Sequence, residues 1–132
     1  MFEITKEYSF EAAHHLPDHQ GQCHNVHGHS YVLEVALSAI HLQTTGSEAG
    51  MVVDFVRIDD VMKPLVARVD HGGFALGYAD TLNEALPSEY QPPTAEHIAE
   101  WAAHALIAHF GPSVRCVRVW ETAKCSAAYY QD

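Results

Sequence analysis

Residues 23–31 read CHNVHGHSY, and the run from His27 to Leu37, HGHSYVLEVAL, decides the fold. Tyr31, Leu33, Val35 and Leu37 recur at every second position, which is the period of a strand with one buried face. The reading predicts a long strand over residues 28–42. Upstream, residues 2–13 alternate in the same way through Phe2, Ile4, Tyr8 and Phe10 and predict a first strand. Residues 14–27, rich in Pro, Gly and His, read as the loop between them. A thiol and three imidazoles within Cys23–His29 are not what either a strand or a loop asks for.

Moving outward, TTGSEAG at 44–50 is turn chemistry. Asp54 is a candidate N-cap for a helix over 55–69, with Pro64 inside it expected to cause a kink. Residues 70–93 read as irregular. Thr94 is a second N-cap candidate, and TAEHIAEWAAHALIAHF has helical periodicity through Ile98, Trp101, Ala105 and Leu106 until Gly111-Pro112 stops it. VRCVRVWET and AAYY supply two more strands. The order β-β-α-α-β-β predicts an α+β fold, one domain over residues 1–132, with a four-stranded antiparallel sheet and two helices on one face. Such a sheet has open edges, so a homo-oligomer is expected.

Composition narrows the function. The formal net charge is −10 with only seven Lys and Arg, which argues against nucleic acid as a partner. It does not argue against an anionic small molecule, because a metal ion can supply local positive charge. The three cysteines, Cys23, Cys116 and Cys125, do not form a disulfide framework and fit a reducing, cytoplasmic setting. No signal peptide and no membrane span is read. Of the 11 histidines, His97, His104 and His109 read as solvent-exposed residues of a helix.

The N-terminal histidines read differently. His27 and His29 are two apart at the start of a strand, so their imidazoles share a face. Gly28 between them is expected to let another segment approach closely. If the first two strands pair across the loop, His14 lies opposite that pair. Three imidazoles with an open fourth position make a catalytic type of zinc site. His15 is the rival to His14 but points to the other face. Cys23 is a possible fourth ligand, although its position better suits a base or nucleophile beside the metal. Cys116 reads as inert core filler.

FEAAHHLP, C-x-x-x-H-G-H-S-Y, GMVVDF, VDH and VWET occur in this order between residues 10 and 122. Together they resemble the 6-pyruvoyltetrahydropterin synthase family, and within it the bacterial carboxy-type branch that acts in queuosine biosynthesis. The resemblance implies the tunnelling fold and a hexamer built as a dimer of trimers. It implies zinc held by His14, His27 and His29, and Cys23 as catalytic thiol. Asp70 and His71 would form a catalytic pair, and Glu121 would anchor a pterin through a bidentate hydrogen bond. By sequence alone, Asp70-His71 reads as a helix C-terminus. Thr94 is either a helix cap or a further hydrogen bond to the pterin ring, and Lys124 is a candidate for the substrate's triphosphate.

The implied reaction converts 7,8-dihydroneopterin triphosphate to 6-carboxy-5,6,7,8-tetrahydropterin, acetaldehyde and triphosphate. Carboxy-type enzymes resemble C-x-x-x-H-G-H, as here, whereas animal pyruvoyl synthases put two more residues between Cys and HGH. The segment from Gly72 to Pro93 is longer than in short bacterial members, and Cys125 is an additional thiol near Glu121. Three other readings stand beside this one. They are a pyruvoyl synthase, a non-catalytic zinc module closed by Cys23, and a hydrolase that uses a zinc-bound water.

Overall fold

Alternating side chains make β1 (Phe2–His14) and β2 (His27–Ala39) two strands of 13 residues each. They pair antiparallel in unbroken register, from Phe2↔Ala39 to His14↔His27. The computed structural model describes residues 1–76 and 80–132. Helix α1 (Phe55–Val69), a one-turn helix α2 (Leu82–Ala85) and helix α3 (Ala95–Phe110) lead to β3 (Val114–Thr122) and β4 (Cys125–Tyr130). All neighbours in the sheet order β1-β2-β3-β4 are antiparallel. The fold is therefore α+β as expected, with two long helices.

One face of the sheet carries the core. Phe10, Tyr31, Leu33, Val35, Leu37, Val117 and Val119 pack in one cluster with Ile58 and Met62 of α1 and Ile98 and Leu106 of α3. Both long helices thus cover the same face. The other face carries Glu3, Thr5, Glu7 and Ser9 of β1, all exposed. Among the described residues, no helix is long and apolar enough to cross a membrane.

Both expected caps form. Asp54 accepts a hydrogen bond from Val56 N at 2.9 Å and Thr94 Oγ1 accepts from His97 N at 3.2 Å. Pro64 does not interrupt α1. A helix-interior proline costs about 3 kcal/mol. Four buried side chains of the same helix, Ile58, Val61, Met62 and Val69, each contribute about 1.5–3 kcal/mol and outweigh it.

Other boundaries differ from expectation. His14 and His27 belong to the ladder rather than to the loop. The second strand ends at Ala39, because Gln43 pairs with Met51 and Gly50 and closes residues 43–51 into a local loop. The irregular segment contains α2, which sequence reading missed because one helical turn has too few residues to show a period. Gly28 is not a point of tight approach: a Cβ there would meet the Ala12 carbonyl at 3.5 Å, an ordinary contact. Cys116 is not core filler either. It pairs with Ala36 and Tyr130 and is only half-buried, although burial still pushes its thiol pKa up.

Candidate active site

The ladder register sets His14 opposite His27 and Ala12 opposite His29. Alternation then brings all three imidazoles to the helix-covered face. One ring nitrogen from each lies within 4.8 Å of the others. His14 is 1% exposed and, among the described residues, is the one buried side chain outside the aliphatic and aromatic set.

The tautomers follow from the partners. His14 Nδ1 lies 2.7 Å from the Pro93 carbonyl, and His27 Nδ1 lies 2.7 Å from the Asn25 carbonyl. A carbonyl only accepts, so each Nδ1 carries the proton and each Nε2 of the neutral ring is a bare lone pair. The two Nε2 atoms are 3.0 Å apart. His29 Nε2 is buried and has no hydrogen-bond partner among the described residues. Two lone pairs 3.0 Å apart, with the unpartnered buried nitrogen of His29 beside them, are unfavourable by themselves, and a cation between the three rings removes the cost. The donor set therefore fits a metal ion. Imidazole nitrogens with backbone carbonyls behind them are the usual arrangement for a metal-bound histidine.

Electrostatics agree with a neutral His14 ring. Burial pushes the His14 pKa down, opposed by the Pro93 carbonyl. Tyr31, fully buried and with its hydroxyl 3.3 Å from His14 Nδ1, has its phenol pKa pushed up by burial and then by the charge of Glu121. It is a neutral wall of the site.

Glu121 lies beside the cluster, its Oε2 3.7 Å from His29 Nε2. It falls in a bulge, since Trp120 pairs with Ser126 and Thr122 with Cys125. A bulge of this kind re-aims the side chain it carries. Cys23 sits in a 3-10 turn, Gln22–His24, and its carbonyl accepts from Leu16 N at 2.7 Å. That bond ties the thiol's turn to the chain just after His14.

Asp70 is the C-cap of α1, which is the structural half of the sequence reading. Its Oδ1 accepts from Glu11 N at 2.9 Å, on the edge strand. His71 holds a left-handed backbone, φ 51°, which a non-glycine residue adopts at a cost. Its Nε2 lies 3.8 Å from Asp70 Oδ1, too far for a hydrogen bond. His71 and His29 both line a cleft of about 420 Å³ along with Glu11 and Ser30. Thr94 lines a second cleft with Leu16 and Asn83. Lys124 follows the bulge, and its N–H donates to Thr122 Oγ1 at 3.2 Å.

Sequence reading missed the carbonyls of Asn25 and Pro93, which orient the imidazoles. The prolines at 92 and 93 were the available signal, since they fix a turn whose carbonyls must find donors.

The profile of the family described as 6-pyruvoyl tetrahydropterin synthase matches residues 3–132. The chain belongs to the 6-pyruvoyl tetrahydropterin synthase family. Among curated members, the 6-carboxy-5,6,7,8-tetrahydropterin synthase of Synechocystis sp. is 41% identical over 131 residues, covering 98% of this chain and 94% of that protein. The 6-carboxy-5,6,7,8-tetrahydropterin synthase of Haemophilus influenzae is 32% identical over 142 residues, covering 99% and 100%. The solved structure of the Caenorhabditis elegans 6-pyruvoyl tetrahydropterin synthase superposes with a TM-score of 0.80 at 23% identity, covering 99% of this chain and 96% of that one. At that identity the likeness speaks for the family fold alone.

Proposed function

We propose that this family member is a 6-carboxy-5,6,7,8-tetrahydropterin synthase. It takes up 7,8-dihydroneopterin triphosphate and one water and releases 6-carboxy-5,6,7,8-tetrahydropterin, acetaldehyde and triphosphate. The observation that carries the reading is the convergence of His14, His27 and His29 beside Glu121, in a chain 41% identical to a synthase of that name over nearly its whole length. The metal is zinc, held by those three imidazoles; when bound, it supplies a Lewis acid that makes the substrate's side-chain hydroxyls more acidic.

The remaining chemistry belongs to the chain's own residues. Glu121 accepts two N–H groups of the pterin edge and fixes the ring. Thr94 Oγ1 accepts from His97 N, and its hydroxyl hydrogen is available for the same ring. Cys23, as thiolate, takes the proton from the side-chain carbon next to the ring. Asp70 holds the His71 end of the segment against β1, and His71 moves a second proton during cleavage of the C1′–C2′ bond. Lys124 is offered to the triphosphate. The working state is a cytoplasmic hexamer, a dimer of trimers in which the free edges β1 and β4 join neighbouring chains. Its product feeds queuosine-type 7-deazapurine synthesis.

A pyruvoyl synthase is the second reading, favoured by the family profile matched over residues 3–132, which carries the pyruvoyl name. One experiment separates the two: zinc-loaded protein is given 7,8-dihydroneopterin triphosphate, and acetaldehyde and pterin products are scored together. Acetaldehyde with a 6-carboxy pterin is expected. Triphosphate release without acetaldehyde transfers the protein to the pyruvoyl branch. Cys23→Ala is expected to keep fold and zinc and to lose roughly 10²–10⁴-fold in turnover. Loss of zinc in that variant supports a closed four-ligand module. Unchanged turnover supports a hydrolase.

A further inference from the structure

The β1–β2 ladder ends at His14↔His27, so the main chain of His15 has no strand neighbour there. Asn83 stands in for one. His15 N donates to Asn83 Oδ1 at 3.0 Å, and Asn83 Nδ2 donates to the His15 carbonyl at 2.8 Å. Only this orientation of the amide satisfies both groups. The residue that makes this clamp lies 68 positions away, on α2.

Helix α2 is itself tied on two sides. Gln91 Nε2 donates to the Leu82 carbonyl at 3.1 Å and the Leu86 carbonyl at 2.9 Å, and Arg68 Nε donates to the Ala85 carbonyl at 3.1 Å. Two residues beyond Gln91 is Pro93, whose carbonyl holds the His14 ring. One short element therefore grips the main chain after His14 and is bonded to the turn that orients its imidazole. The next residue, Leu16, passes the constraint on through its N–H to the Cys23 carbonyl.

From these bonds we infer that Asn83 is a positioning residue for the metal centre. It sets the end of β1 so that His14 Nε2 meets those of His27 and His29, with the Cys23 turn in register. The inference rests on the reading of the three imidazoles as a metal site. It also assigns a purpose to part of the long segment between His71 and Thr94. Asn83 itself is not a member of the apolar core, although its neighbours Leu82 and Leu86 are, so the core anchors α2 by their side chains while the clamp acts through the amide.

The test compares the full-length wild type with Asn83→Ala, Asn83→Asp and Gln91→Ala. Zinc affinity is measured by competition with a chromophoric chelator. The visible absorption of the cobalt(II)-loaded protein and the melting temperature of the metal-free protein are recorded in parallel. Asn83→Ala is expected to weaken zinc about 10–100-fold, the range for groups that orient a ligand from behind, and to shift the cobalt bands. Its metal-free melting temperature stays near that of wild type. Asn83→Asp, which can still accept from His15 N, falls between, and Gln91→Ala, which frees the Pro93 turn, weakens zinc as well. Wild-type affinity and cobalt bands in both Asn83 variants overturn the inference, as does a lower melting temperature with unchanged zinc affinity. A wild type that takes up neither metal overturns the metal reading itself, and the positioning role falls with it.

Discussion

Along one face of the β1–β2 ladder, Phe10 and Tyr31 stack with ring centroids 4.8 Å apart, while four residues on His14 and His27 meet edge to face at 4.6 Å. Strand pair, face and spacing are shared, but the requirements differ. Phe10 and Tyr31 gain from burial, which is roughly proportional to area and tolerant of direction. The imidazoles gain nothing until every nitrogen has a partner. The sheet thus supplies position to both regions. Direction at the histidine end comes from Asn25 and Pro93, which lie outside the sheet.

Four measurements bear on this contrast, taken from the largest effect downward. His29→Ala is expected to abolish turnover and to cost more metal affinity than the roughly 100-fold limit for outer groups, read as metal content after dialysis. Its melting temperature without metal should hold or rise, since the variant removes a buried nitrogen that has no partner. Leu33→Ala does the reverse. It costs about 2–5 kcal/mol by denaturant unfolding and leaves the zinc affinity of the folded chain within a few-fold. A joint loss in either variant would merge the two regions into one cooperative unit.

Thr94→Ala comes next, with about 1 kcal/mol lost through the cap and KM rising by up to about tenfold through the ring contact. A change in stability with constant KM would leave Thr94 a cap only. The smallest effect is at the apolar end. Asp59 accepts from Lys6 Nζ at 2.8 Å and from Tyr8 Oη at 2.6 Å, and these bonds, Lys6 first, hold its carboxyl below the ordinary 3.8. A depressed carboxylate stabilises above its unfolded value and loses that contribution as pH falls through the folded one. Wild type should therefore exceed Asp59→Asn in denaturation midpoint at neutral pH, and the two should converge as pH drops below 3.8.

Much of this was legible in the sequence. Period-2 alternation in residues 2–13 and 31–37 announced the sheet, and the same period assigned His27 and His29 to one face. His14 followed from pairing the two strands. Asp54 and Thr94 were readable as caps because capping depends on neighbours two or three residues away. Asn83 and Gln91 were not readable. Their bonds run from a side chain to a distant main chain, and no periodicity records such contacts. The bulge that re-aims Glu121 was equally silent, since VRVWET reads as an unbroken strand.

The position of the histidines at the terminal pair of the ladder has one more consequence. Phe2↔Ala39 and His14↔His27 are the two ends of a single register, so a slip anywhere between them displaces every pair. A one-residue slip would turn His14 away from His27 and His29. On the metal reading proposed above, uptake of metal by a freshly refolded chain becomes a proofreading signal: it counts the molecules whose two longest strands have met in frame.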